Sequence, residues 1–386
     1  TTPHFQATPM TKPFASWSSH LTTFSLAGLM AFSVPAWAEL RIGNPSGITG
    51  SVAAGVKENI DGAKLYFDAV NARGGINGQK IELVSVDDKF DPKVTVEVSR
   101  KLITEQKVLA LFLNRGTPHS QALLPMLAEF KVPLVGPSTG AMVLHEPVNP
   151  WVFNVRATYQ REAAKAIEHL ASIGMTRIAL LETDDSFGAD SAAGALKGFA
   201  TVKQTPVLQE KFPRDKPDFT ELAARVMKSN AQAVMVIGSA GNAANGMKAI
   251  REAGSRAQLV TLSNNASEGF IKLLGEHARG VIVTQVFPNE RSVSFPLIKE
   301  AQDLARAKGL EGVSPAMMEG FAAAKVVTEG LRRAGPNPTP VALRDALEGM
   351  RNYDIGGLQI SYSATDHTGL DFSDLSIVNA SGKFMR

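Results

Sequence analysis

Cysteine is absent from all 386 residues. That absence excludes disulfides, thiolate-bound zinc, iron–sulfur clusters, a thiol nucleophile and the acylated cysteine of a lipoprotein anchor. A charge excess of either sign is missing too, since 40 Lys and Arg face 37 Asp and Glu. The basic footprint of a nucleic-acid binder is therefore lacking, and no nucleic-acid partner is expected. Past the first apolar stretch the histidines are His119, His145, His169, His277 and His367. None sits at i, i+3 or i+4 from another, so no metal is expected. No phosphate loop of the G-x-x-x-x-G-K type occurs, and Gly74-Gly75-Ile76-Asn77-Gly78 follows a helical stretch instead of a strand. No cofactor is expected on these grounds.

Long apolar runs are also missing. The longest, residues 21–34, holds about fourteen residues, short of the ~20 that cross a bilayer. With Met10 and Lys12 before it and Pro35-Ala36-Trp37-Ala38 after it, residues 10–38 read as a secretory leader. Cleavage is expected after Ala38, releasing a periplasmic protein, and residues 1–9 carry no leader character. Everything up to residue 38 is set apart from the fold.

What remains alternates short β-rich apolar runs with amphipathic stretches, the pattern of βαβ units and parallel sheets. Strands are expected at residues 40–43, 81–87, 108–113 and 133–135, with crossover helices over 56–72 and 92–106. A second series follows, with helices over 161–173, 187–199, 218–229 and 242–253 and strands at 177–181, 207–212 and 233–237. The fold class is α/β, with two Rossmann-like lobes, mostly parallel sheets and a hinged cleft. A strand-like stretch at 280–286, helices over 295–308 and 314–333 and a further helix to 350 follow. The expected partition is 39–157 plus 286–350 for the first lobe and 158–285 plus 351–386 for the second.

Two strand ends carry the chemistry. After residues 108–113 come Arg115-Gly116-Thr117-Pro118-His119-Ser120, and after 133–135 come Gly136-Pro137-Ser138-Thr139-Gly140. In open parallel sheets ligands sit outside the carboxyl ends of strands. Hydroxyls and free amides there suit an anion or a carboxylate. The second string also reads G-x-S-x-G, and Asp366-His367 could complete a Ser–Asp–His order for an exported serine hydrolase using Ser138. Against this, only Ala141 to Glu146 lie before Pro147 and Pro150, too few for the helix a nucleophile elbow requires. Asp87, Asp88 and Asp91 form a calcium-like string, but Asp91-Pro92 reads better as a helix start.

Several strings together resemble the type I periplasmic binding proteins of the branched-chain amino acid class, soluble receptors of ABC importers. They are Asn59-Ile60-Asp61-Gly62-Ala63, Ile76-Asn77-Gly78-Gln79-Lys80-Ile81, Val86-Asp87-Asp88, Gly136-Pro137-Ser138-Thr139 and Arg177-Ile178-Ala179-Leu180-Leu181 leading to Phe187-Gly188. The resemblance implies a small-molecule ligand, an inner-membrane ABC permease as partner, no catalysis and a monomer, with dimerisation left open. It places the ligand's carboxylate at Thr117 and at Ser138, Thr139 and Gly140. From the second lobe it adds Phe187, Ser239 beside Gly238, and Thr158 or Tyr159.

Departures from the family pattern point to the ligand's chemistry. Amino-acid-binding members carry second-lobe carboxylates for the ligand's ammonium, but here those places fall on Thr158 or Tyr159 and on Ser263. An aromatic of the first lobe is replaced within Ala53-Ala54-Gly55, which would leave more room. Together with Arg115 this implies an organic or aromatic carboxylate that lacks an ammonium and is larger than leucine. The alternatives are an amino acid receptor and a sensory ligand-binding domain.

Overall fold

A computed structural model describes residues 39–386; the expected leader and its cleavage point lie outside the described residues. The chain opens with β1 (Leu40–Ser46), α1 (Ala53–Ala72), β2 (Ile81–Asp87), α2 (Pro92–Thr104), β3 (Ala110–Phe112), α3 (Thr117–Phe130), β4 (Leu134–Val135) and β5 (Val152–Phe153). These strands form a parallel sheet of order β2-β1-β3-β4-β5. Asp91 caps α2 through the amide of Lys93 at 2.8 Å, with Pro92 in the first turn, so Asp91-Pro92 starts a helix as expected.

The second series is α4 (Tyr159–Ser172), β6 (Ile178–Thr183), α5 (Ser186–Thr201), β7 (Leu208–Phe212), α6 (Thr220–Lys228), β8 (Ala233–Ile237), α7 (Ala240–Glu252), β9 (Gln258–Thr261), α8 (Glu268–Leu274) and β10 (Ile282–Gln285). The chain then adds α9 (Pro296–Ala307), α10 (Pro315–Arg333), α11 (Pro340–Glu348), a small hairpin of β11 (Tyr353–Asp354) and β12 (Gln359–Ile360), and the tail strands β13 (Asp374–Val378) and β14 (Phe384–Met385). The second sheet runs β14-β13-β10-β9-β8-β6-β7 and is parallel except for its two tail strands.

Each sheet is sandwiched between helices, which is why interior strands such as β3 and β8 read as unbroken apolar runs. Alternation splits β8: Val234 and Val236 face the core shared with α7 and α8, while Ala233, Met235 and Ile237 face α4 and α5. In the first lobe Ile42 and Phe112 meet α1 and α10, whereas Leu111 and Leu134 meet α2 and α3. Burying both faces at ~25 cal/mol per Å² of apolar surface is the main stabilising term for such sheets.

The expected partition needs one correction. Ile355, Ile360, Tyr362 and Leu370, assigned to the second lobe, pack into the first core. Tyr362 also donates its hydroxyl to the carbonyl of Asn154 at 2.6 Å. The chain rejoins the second lobe only where β13 pairs antiparallel with β10. Three crossings thus join the lobes, near residues 157, 285 and 371. Among the described residues no helix is long and apolar enough to cross a membrane.

Candidate functional site

The carboxyl ends of both sheets converge on one cleft. A cavity with about 380 Å³ of empty space lies there, walled by Arg115, Gly116 and Thr117 from the first lobe and Tyr159, Phe187 and Ser239 from the second. Gly116 holds φ +100° to turn the chain from β3 into α3, a left-handed conformation that glycine adopts without strain. No side chain caps α3, so its first amides remain available at the cavity. The other two helices opening onto the cleft are capped: Asp185 accepts from Phe187 and Gly188 at the start of α5, and Ser239 from Asn242 at the start of α7.

Two arginines are buried near the cleft, and they differ in one respect. Arg156, 1% exposed, is ion-paired with Glu162, lies 3.8 Å from Glu319, and stacks over the Tyr159 ring at 4.5 Å. Burial lowers its pKa and the adjacent Glu162 carboxylate more than restores it, so the guanidinium keeps its charge. Arg115 is 4% exposed and donates to Ser138 Oγ at 3.0 Å and to the Asn264 carbonyl across the cleft. Both partners are neutral. Among the described residues no carboxylate forms an ion pair with Arg115, and no Asp or Glu lines the cavity. A guanidinium buried without a counter-ion, beside the uncapped amides of α3, is a site prepared for an anion.

The remaining expected residues divide into supports and bystanders. Thr139 shares a hydrogen bond with Thr117, Oγ1 to Oγ1 at 2.7 Å, and is fully buried behind the cavity. Ser138 anchors Arg115, and its amide, expected to be free, donates to the carbonyl of Asn114 at 2.8 Å in a short parallel bridge. Gly140 sits under the first crossing, where its carbonyl accepts from Tyr159 at 2.8 Å and a Cβ would fall 2.5 Å from the carbonyl oxygen of Ala157. Ser263 turns away from the cavity, accepting from Arg156 at 2.7 Å and donating its amide to Glu162 at 3.0 Å.

The chain matches the periplasmic binding protein family model over residues 39–381. It belongs to that family. The Leu/Ile/Val-binding protein of Escherichia coli (strain K12) is 23% identical over 317 residues, 81% of this chain and 84% of that protein. A crystal structure of a substrate-binding periplasmic protein from Ralstonia solanacearum superposes with TM-score 0.83 at 32% identity, covering 90% of this chain and 99% of that one. The fatty acid ABC transporter substrate-binding protein from Thermomonospora curvata shares the fold at TM-score 0.80 and 18% identity, with 89% of each chain covered.

Members of the family are binding proteins, and the geometry around Ser138 fits that role. A nucleophile needs a base within hydrogen-bond reach. Ser138 Oγ instead meets a guanidinium, while His367 directs Nδ1 at the carbonyls of Val152 and Asn149 and stacks on Phe153 at 4.2 Å. Glu162 is fully buried and takes hydrogen bonds from Arg156, Thr284 and the Ser263 amide, and Glu268 pairs with Lys383 at 2.9 Å. Neither offers a free carboxylate to an ammonium.

Of Ala53-Ala54-Gly55, Ala54 meets the opposite lobe, while Gly55 lies beside Arg115, whose Nη2 would be 3.9 Å from a Cβ there. A Cβ on Gly269 would lie 2.2 Å from the Cβ of Ala54, so the second lobe docks directly on α1. Sequence reading also missed Val52, Phe90, Thr183, Arg214, Asn242 and Asn264 in the cavity wall. Arg214 pairs with Asp185 and lies 5.0 Å over the Phe90 ring, which stacks on His119 at 4.3 Å. Desolvation pushes His119 down to about 4, so it serves that stack as a neutral ring. The signal available was position: Phe90 follows β2, Arg214 follows β7, and Asn264 follows β9, all at carboxyl ends of strands.

Proposed function

We propose that this periplasmic binding protein captures a small organic carboxylate without an amine, closes on it, and presents it to an inner-membrane ABC permease. The observation that supports this reading is the unneutralised, buried Arg115 beside the uncapped start of α3. An incoming carboxylate replaces the Asn264 carbonyl on the guanidinium and accepts amide hydrogens of α3, becoming the missing counter-ion. Tyr159 and Phe187, packed edge to face at 4.9 Å, supply an apolar wall for the ligand's body. The acids that would bind an ammonium are already spent on Arg156 and Arg214.

A second reading, an amino acid receptor, draws on the name of the Escherichia coli relative. A thermal-shift panel of aliphatic acids, aromatic acids, amides and amino acids separates the two, since a ligand bound by the folded state alone raises its melting temperature. Amine-free carboxylates are expected to stabilise the protein and leucine is not. Stabilisation by amino acids alone overturns the carboxylate reading.

A further inference from the structure

A smaller cavity with about 150 Å³ of empty space lies next to the cleft, lined by Ser46, Val56, Asn59, Leu113, Arg115 and Ser138 among others. Arg115 is common to both linings and forms the wall between them. Within it Asn59 is 3% exposed, and neither its side-chain nitrogen nor its side-chain oxygen has a hydrogen-bond partner. The other polar side chains there are occupied: Ser46 donates to the Leu113 carbonyl, and Ser138 holds Arg115. Val56, Ile60 and Leu113 offer the amide nothing. Nor can the backbone withdraw, because α1 and α10 touch so closely at this point that a Cβ on Gly320 would overlap the carbonyl oxygen of Asn59.

A buried amide with both functions unmet has lost its hydration without compensation, and a leucine of similar size would be more stable there. We infer that this cavity is a second compartment of the ligand site, in which Asn59 reads a neutral group that both donates and accepts hydrogen bonds, such as a hydroxyl, on the bound carboxylate. The inference rests on the carboxylate reading of Arg115. When a ligand carboxylate takes the place of the Asn264 carbonyl, the guanidinium is released from the far lobe and the two cavities join. With Arg115 in place the gap is too tight for a group of its own, so room for a hydroxyl comes from the movement of that side chain.

The test uses pairs of acids that differ by one hydroxyl: propionate and lactate, butyrate and 3-hydroxybutyrate, benzoate and 4-hydroxybenzoate. Calorimetric affinities are measured for the native protein and for Asn59→Leu, with Asn59→Ala as a second variant should the larger residue disturb folding. At least one hydroxy acid is expected to bind tenfold or more tightly than its parent to the native protein, and the preference is expected to vanish in the variants. The ligand-free melting temperature of Asn59→Leu is expected to equal or exceed the native value. Acids that bind without a hydroxyl preference, or a preference that survives both variants, overturn this inference and leave the carboxylate reading intact. If no acid binds, the carboxylate reading fails and this inference falls with it.

Discussion

Glu58 on α1 of the first lobe accepts the amide of Gly269 at the start of α8 in the second, at 2.8 Å. The same carboxylate takes the amide of Glu268 at 3.1 Å and the hydroxyl of Ser314 at 2.6 Å. Nearby, the Gly241 amide donates to the Ser51 carbonyl at 3.1 Å. The first turns of α1 are therefore the seat on which the closed second lobe rests.

Glu58 does not line the cavity, so its removal acts on closure and not on ligand contacts. Losing these bonds is expected to disfavour the closed form by about 1–2 kcal/mol, weakening apparent affinity roughly 5- to 30-fold. Glu58→Ala in calorimetry, with small-angle scattering of the ligand-free protein, checks this. Ala54→Leu should act in the same direction by wedging the lobes apart at Gly269. Unchanged affinity in both variants would show that closure does not use this seat.

Much of this architecture is legible in the sequence, because strands such as β6 and β8 are buried on both faces and leave apolar runs of four and five residues. The two-residue β5 and the four-residue β9 are too short for periodicity to register. Missing β9 hid Asn264, the carbonyl that Arg115 grips across the cleft. Arg115 and Thr117 were legible because a glycine and a helix start follow a clear strand. That Arg156 would neutralise Glu162 was not, since the two meet only once the first crossing turns back over α4.

Breaking that pair uncovers buried charge. Arg156→Leu strands Glu162, and Glu162→Leu leaves Arg156 only the more distant Glu319 at 3.8 Å; each is expected to lose unfolding free energy in urea titrations, about 3–5 kcal/mol for Arg156→Leu and less for Glu162→Leu. A loss below about 1 kcal/mol would contradict the view that the two compensate each other in a dry site.

Asp88 gives a pH signature. Desolvation raises its carboxyl from 3.8 to about 6, against the hydrogen bonds from Thr95 and the Phe90 amide, with Asp87 and Asp91 adding repulsion. The folded state therefore holds this proton more tightly than the unfolded chain. The group's penalty is absent below the unfolded value, grows as pH rises through the window between the two, and is complete above about 6. Asp88→Asn keeps the bond from the Phe90 amide, donates its own N–H to Thr95 Oγ1, whose hydroxyl hydrogen then serves the Asp91 carbonyl, and is expected to stabilise the protein by about 1–3 kcal/mol at pH 8 while gaining little at pH 4. A gain independent of pH would rule out this titration as its source.

Ser138 is expected to be an anchor without turnover. The native protein should not hydrolyse p-nitrophenyl acetate above the buffer rate, and Ser138→Ala should weaken carboxylate binding by about 1 kcal/mol through a less firmly held Arg115. Native hydrolysis that disappears in Ser138→Ala would revive the nucleophile.

The central claim is that Arg115 awaits a carboxylate, and calorimetric titration of native protein and Arg115→Met with the acid that most stabilises the fold, alongside leucine, tests it most directly. The native protein is expected to bind the acid and ignore leucine. Arg115→Met should lose about 2–3 kcal/mol of affinity, roughly 30- to 150-fold, while keeping or raising its ligand-free melting temperature, because an uncompensated buried charge has gone. Tight leucine binding that persists in Arg115→Met would contradict the account.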